Sequence, residues 1–173
     1  MTPFVIAIVG GHNSGKTTII ARLLPALADR GLQVGTVKHA PHLFLLEAPA
    51  SADTARHLRA GAVRTILFAG DAMVLHVPIT AELSIEQVIA RHFADCDIVL
   101  AEGFKHGAFP KIEVYRRIGE DAAEPLAGQI NVACIVTDDR VAVDDDVAQF
   151  SLRDTEGIAD FIADLAFRPR DRA

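Results

Sequence analysis

Several things are scarce in this sequence, and each scarcity removes a class of protein. Only two of the 173 residues are cysteine, Cys96 and Cys134, far apart and outside any C-x-x-C pairing. A disulfide scaffold needs more, and both thiols are expected to be small buried hydrophobes. The seven histidines are scattered along the chain, which gives no ligand spacing for a metal centre. Tryptophan is absent. Positive charge is in deficit, with 17 Lys+Arg against 23 Asp+Glu and a net charge of −6. Binding to nucleic acid through its phosphates needs the opposite balance, so no nucleic-acid partner is expected. No apolar run approaches the ~20 residues of a membrane span. The first one, Phe4 to Val9, is only strand length and follows no basic segment, so neither a signal peptide nor a membrane partner is expected. A cytoplasmic location is the expectation.

Hydrophobic residues are plentiful, at 50% of the chain. At ~150 residues per domain, the length suits one domain able to bury its own core. Residues 1–167 are read as that domain and 168–173 as a frayed tail. Short apolar runs alternate with helical segments, which predicts an α/β three-layer sandwich with a mostly parallel central sheet. The expected strands are Phe4–Val9, Gln33–Val37, Ile98–Ala101, Lys111–Tyr115 and Val132–Val136. Lys111–Tyr115 alternates in polarity and is expected to be half-buried. Expected helices run over Lys16–Asp29, Ser51–Ala60, from Ser84 to about Ala94, and from Asp154 to about Ala166. Pro25 should kink the first, and Gly31 suits a left-handed cap after it. Ser84 and Gln87 have capping-box spacing. Val63–Phe68 and Met73–Val77 flank a turn at 69–72 and form an extra hairpin. This hairpin and Lys111–Tyr115 are the candidate extra edge strands.

The densest chemistry lies in Gly10-Gly11-His12-Asn13-Ser14-Gly15-Lys16-Thr17, followed by Thr18. It satisfies G-x-x-x-x-G-K-[ST] and falls between an expected strand and an expected helix. Such a loop curls so that successive N–H groups and the helix N-terminus face one anion. Lys16 would meet the outer phosphates and the Thr17 hydroxyl would ligate Mg²⁺. His12 and Asn13 line the loop by position, with no side-chain role assigned.

A second acid belongs at the carboxyl end of a neighbouring strand. Ile98-Val99-Leu100-Ala101-Glu102 fits, with Glu102 in place of the commoner Asp. Lys38 and His39 end the second strand at the same rim, where open α/β sheets take their ligands. Asp53 and Arg56 share one helix face, as a surface pair or part of the site. After the late strand, Thr137-Asp138-Asp139-Arg140 stands where GTPases carry [NT]-K-x-D, without the lysine. A carboxylate there could accept the guanine N1–H and N2–H₂ donors, and a simple turn would explain both aspartates as well.

Taken together, Val34-Gly35-Thr36-Val37-Lys38-His39, Asp53-Thr54-Ala55-Arg56-His57, Asp97 through Lys105 and Pro110-Lys111-Ile112-Glu113-Val114 resemble the MobB family of molybdopterin-guanine dinucleotide biosynthesis proteins. The resemblance spans about Phe4 to Val136. It implies a P-loop protein that binds GTP with Mg²⁺, usually as a homodimer. It also implies that the protein assists a molybdenum cofactor guanylyltransferase in attaching GMP to molybdopterin. By position it implies Lys16 and Thr17 at the phosphates, Glu102 on the Mg²⁺ side, and Lys38, His39 and Lys105 at the rim. The loop after His39 departs from the family pattern: Leu43 and Leu45 stand where acids are usual, and Ala50-Ser51 where Gly-Lys would be.

Two other readings use the same core. A P-loop small-molecule kinase, using ATP or GTP, would need arginines over the phosphates, and only Arg116, Arg117 or Arg140 could supply them. A metal-delivering GTPase would need the His/Cys cluster that the chain lacks.

Overall fold

The strand at Phe4–Val9 (β1) pairs in parallel on both sides, and that pairing organises the sheet. The structure is a computed structural model and describes residues 2–40, 53–78, 83–117, 124–127 and 130–168. In chain order the elements are β1, α1 (Lys16–Ala28), β2 (Val34–Lys38), α2 (Asp53–Arg59), β3 (Thr65–Ala69), β4 (Ala72–His76), α3 (Ile85–His92), β5 (Ile98–Glu102), β6 (Lys111–Val114), β7 (Cys134–Val136), β8 (Ala148–Phe150) and α4 (Thr155–Phe167). Chain contacts divide into two compact units, Met1–His39 with Ile89–Ala173, and Ala40–Val88.

In the first unit, six strands form one sheet in the order β2-β5-β1-β6-β7-β8, and every pairing is parallel. Parallel strands must be joined by crossovers, which carry all their carboxyl ends to one rim. Ile6, Ile8, Ile98, Leu100, Ile112, Val114, Cys134 and Val136 alternate onto one face of the sheet. There they pack with Ile19, Leu23 and Leu27 of α1 and Ile158 and Ile162 of α4. At ~1.5–3 kcal/mol for each fully buried aliphatic side chain, this cluster is a main source of stability for the sheet that carries the rim.

Helix α1 runs through Pro25. Proline has no N–H to donate to the Ala21 carbonyl, so the helix continues past it with one backbone hydrogen bond fewer. The helix ends in a Schellman arrangement, with Leu32 N–H donating to Leu27 O and Gly31 N–H to Ala28 O, Gly31 lying at φ 77. Asp154 caps α4 by accepting from Gly157 N–H at 3.0 Å. The capping box of α3 is closed both ways: Gln87 N–H donates to Ser84 Oγ and Ser84 N–H to Gln87 Oε1.

Three expectations need correction. Strand β6 is neither half-buried nor an edge: all four residues are buried, because it lies between β1 and β7. Its alternating polar residues are satisfied internally. Lys111 Nζ donates to Gly107 O and Phe109 O, while Glu113 accepts from Leu126 and Ala127 N–H. Strand β8 was not expected, since its three residues include Gln149 and follow a run of aspartates rather than an apolar run. The helix expected over Ser51–Ala60 is seen over Asp53–Arg59: it ends one residue earlier than expected, and residues 51 and 52 lie outside the described ones.

In the second unit, β3 and β4 form a separate antiparallel hairpin closed at Ala69↔Ala72, with α2 against β3. Ile66, Leu67, Phe68, Met73 and Val74 are all exposed.

Candidate nucleotide-binding site

The loop from Gly10 to Gly15 turns β1 into α1, and its sharp course depends on residues that tolerate positive φ: Gly10 at 143, Asn13 at 58 and Gly15 at 104. A side chain at Gly10 would collide with the carbonyl oxygen of Val114 on β6. Only glycine lets the two strands approach this closely where the loop begins. Helix α1 starts without a side-chain cap and without an acid in its first turn. Its first N–H groups therefore face the loop unpaired, the arrangement that binds phosphate at helix ends. Ser14 is 2% exposed, and its hydroxyl has no hydrogen-bond partner among the described residues.

Lys16 Nζ folds back on its own loop, donating to Gly11 O at 2.6 Å and Gly10 O at 3.2 Å. Partial burial lowers its pKa and nearby Lys38 adds to that, while Glu102 opposes it. Glu102 is the hub of the site. β5 pairs it with Ile8 of β1 and Lys38 of β2. Its carboxylate accepts from Thr17 Oγ1 at 3.1 and 3.2 Å and forms an ion pair with Lys38 Nζ at 2.9 Å. The main chain holds the same corner, with His39 N–H donating to Glu102 O and Gly103 N–H to Ile8 O. The His39 ring meets Phe104 edge-on at 5.5 Å.

The fold thus brings Lys16, Thr17, Glu102, Lys38 and His39 to one corner of the rim, while Gly11, His12, Asn13 and Thr18 are exposed around it. Lys105 is exposed beyond Phe104. Asp138 and Asp139 follow β7, at the same rim but two strands from β1. Both hold turns: Asp138 Oδ1 accepts from Ser151 Oγ and Leu152 N–H, and Asp139 Oδ2 accepts from Arg117 N–H. The Ser151 hydrogen bond is the main cause holding the Asp138 carboxyl below its ordinary pKa. Asp53 and Arg56 form an exposed surface pair at 3.5 Å within the second unit.

The donor set fits a nucleotide with Mg²⁺. Thr17 and Glu102 present hydroxyl and carboxylate oxygens, hard ligands for such an ion. Among the described residues no group of three His, Cys, Asp or Glu could hold a metal, so phosphate oxygens and water would have to complete its shell. The unpaired Ser14 hydroxyl and the uncapped helix end leave donors available to an anion. One neighbour was visible in the sequence only as a candidate lid residue. A Cβ built on Gly15 would lie 3.8 Å from Arg116 Nε and 3.9 Å from Nη2, so this guanidinium packs along the loop.

No helix of the described residues is long and apolar enough to cross a membrane. Comparison with known proteins adds the family. The model for "Molybdopterin guanine dinucleotide synthesis protein B" matches residues 5–138. The molybdopterin-guanine dinucleotide biosynthesis adapter protein of Escherichia coli K12 is 31% identical over 163 residues, covering 92% of this chain and 91% of its own length. The corresponding adapter of Haemophilus influenzae is 30% identical over 124 residues, covering 70% of this chain and 67% of its own length. A crystal structure of molybdopterin-guanine biosynthesis protein B superposes with a TM-score of 0.72 at 28% identity, covering 94% of this chain and 99% of that one. A MobB homologue from Bacillus stearothermophilus, at 24% identity and a TM-score of 0.67, shares the fold. Matched along most of its length in sequence and in fold, the chain belongs to the molybdopterin guanine dinucleotide synthesis protein B family.

Proposed function

We propose that this chain is a GTP-binding adapter of molybdenum cofactor biosynthesis. In this reading it supports a guanylyltransferase that joins GMP to molybdopterin, and by itself it is at most a slow Mg²⁺-dependent GTPase. One observation carries the nucleotide half: Thr17, Glu102 and Lys38 converge at the uncapped N-terminus of α1. The adapter names of the relatives carry the pathway half. The same names leave the kinase alternative without support.

Each residue has a task in this reading. Lys16 leaves the carbonyls of its own loop and turns to the outer phosphates. Glu102 keeps the Thr17 hydroxyl and Lys38 aligned, and its carboxylate would help to hold the Mg²⁺ site. When bound, Mg²⁺ neutralises charge on the phosphate chain. Asp138 and Asp139 face the base side of the rim. A carboxylate offers about four acceptor positions, so holding a turn and accepting from guanine are compatible. Lys38, His39 and Lys105 form the opposite margin, toward a pterin or partner. Residues 1–167 act as one functional unit, and the β3–β4 hairpin is where a second copy docks to give a homodimer.

Calorimetric titration with GTP and with ATP at equal Mg²⁺ tests the reading. GTP should bind the more tightly. Lys16→Ala should weaken binding at least ~10–100-fold, the value of one or two charge-assisted hydrogen bonds. An unchanged affinity in the variant would overturn the phosphate site, and equal affinities for the two nucleotides would overturn the guanine preference.

A further inference from the structure

We propose that Arg116 is a nucleotide-contacting residue, whose guanidinium donates to the phosphate chain from the β6 side of the loop, away from the metal. This deepens the GTP-binding reading and rests on it.

The argument begins with topology. β1 has β5 on one side and β6 on the other. Glu102 ends β5 and gathers Thr17 and Lys38, so the metal and the outer phosphates belong on that side. Arg116 follows Tyr115 at the end of β6, so it reaches the loop from the opposite side. There its guanidinium lies alongside Gly15, the residue from which α1 begins.

Electrostatics supplies the second step. The N-terminus of a helix carries roughly half a positive charge, and Lys16 adds a whole one. A third cation against the same turn is unfavourable unless an anion lies among them. Among the described residues no carboxylate comes within ion-pair distance of Arg116. Asp138 is near enough for Arg116 to contribute, as the weakest of several causes, to its lowered pKa, but it already accepts from Ser151 and Leu152. A bound phosphate is the anion that resolves this arrangement. Arginine suits the task because its planar fork can donate to two phosphate oxygens at once.

Arg116 sits between Gly15 and Asp138, between the phosphate loop and the end of β7. It therefore faces the inner part of a nucleotide, which GTP and GDP share.

The test is titration of the full chain with GTP and with GDP in Mg²⁺, comparing wild type, Arg116→Ala and Arg116→Lys. Arg116→Ala should weaken both nucleotides alike, about 10-fold, as one charge-assisted contact is worth. Arg116→Lys should recover part of the loss, keeping the charge without the fork. Arg116 is exposed, so urea unfolding midpoints should stay with wild type. Should the alanine variant unfold, Arg116→Gln and Arg116→Lys carry the comparison. Unchanged affinity for both nucleotides, or a loss confined to GTP, would overturn the proposal while leaving the GTP-binding reading intact. A wild-type protein that bound neither nucleotide would overturn both.

Discussion

Glu102 does three things with one carboxylate, and substitution can separate them. It accepts from the Thr17 hydroxyl, pairs with Lys38, and closes the corner between β1, β2 and β5. Glu102→Gln keeps the shape and one acceptor oxygen but removes the charge. GTP affinity should then change only a few-fold, while Mg²⁺-dependent hydrolysis falls about 10-fold or more, because the residues that would hold the metal lose their negative charge. Hydrolysis equal to wild type would remove Glu102 from the metal side. Glu113 is the contrasting acid. It is 2% exposed and accepts from two backbone N–H groups, at 2.8 and 2.9 Å. Glu113→Ala leaves both donors buried and unpaired, which should cost ~2–4 kcal/mol in a urea unfolding experiment. A loss below ~0.5 kcal/mol would mean that the 126–127 segment simply finds other partners. The two acids look alike in the sequence. A carboxylate after an apolar run at a strand end is legible as a ligand. A carboxylate in an alternating strand is ambiguous, because its burial depends on which strands flank it.

Elements with local causes were legible. The apolar run, the glycines and the Lys-Thr pair specify β1, the loop and α1 within one stretch of chain. Gly31, Ser84 with Gln87, and Asp154 mark helix ends through bonds to neighbours a few residues away. Elements with distant causes were not. β8 exists because β7 offers an edge to pair with, and β6 is interior because β7 covers its far side. The β3–β4 hairpin was legible in outline, but its exposure was not. An isolated two-stranded hairpin is marginal in water, and Phe68 and Met73 are 78% and 63% exposed. A contiguous apolar surface of this kind usually meets a partner, and two copies of the hairpin can cover each other. Light scattering at micromolar concentration should therefore give a dimer mass, and Phe68→Asp should shift it toward monomer with GTP affinity retained. A monomeric wild type would remove the hairpin as a docking element.

At the scale of the whole molecule, the arrangement is better suited to holding a nucleotide than to hydrolysing it. The parallel sheet sends its strand ends to one rim, and along that rim the binding tasks are distributed. In the proposed reading, the metal-side groups end β5 and β2, the phosphate loop follows β1, and Arg116 and the two aspartates follow β6 and β7. A hydrolase needs one thing more, a group that aligns the attacking water or neutralises charge on the leaving side. The side chains seen to converge at the proposed metal side are Lys16, Thr17, Lys38 and Glu102, two lysines, a threonine and a glutamate. Arg116 stands across the loop, where its proposed contact would strengthen ground-state binding as much as any transition state. A uniform contact of that kind raises affinity without raising turnover. An arginine supplied to the terminal phosphate in related chemistry is worth ~10³–10⁵ in rate. GTP hydrolysis by the purified chain should accordingly run far below ~1 s⁻¹ at saturating GTP and Mg²⁺. Steady-state phosphate release is the measurement. Several turnovers per second without any partner would mean the rim already holds a complete hydrolytic site, and the adapter reading would fall. Slow release that rises when a guanylyltransferase is added is the expected result, because the missing group must then come from outside the chain.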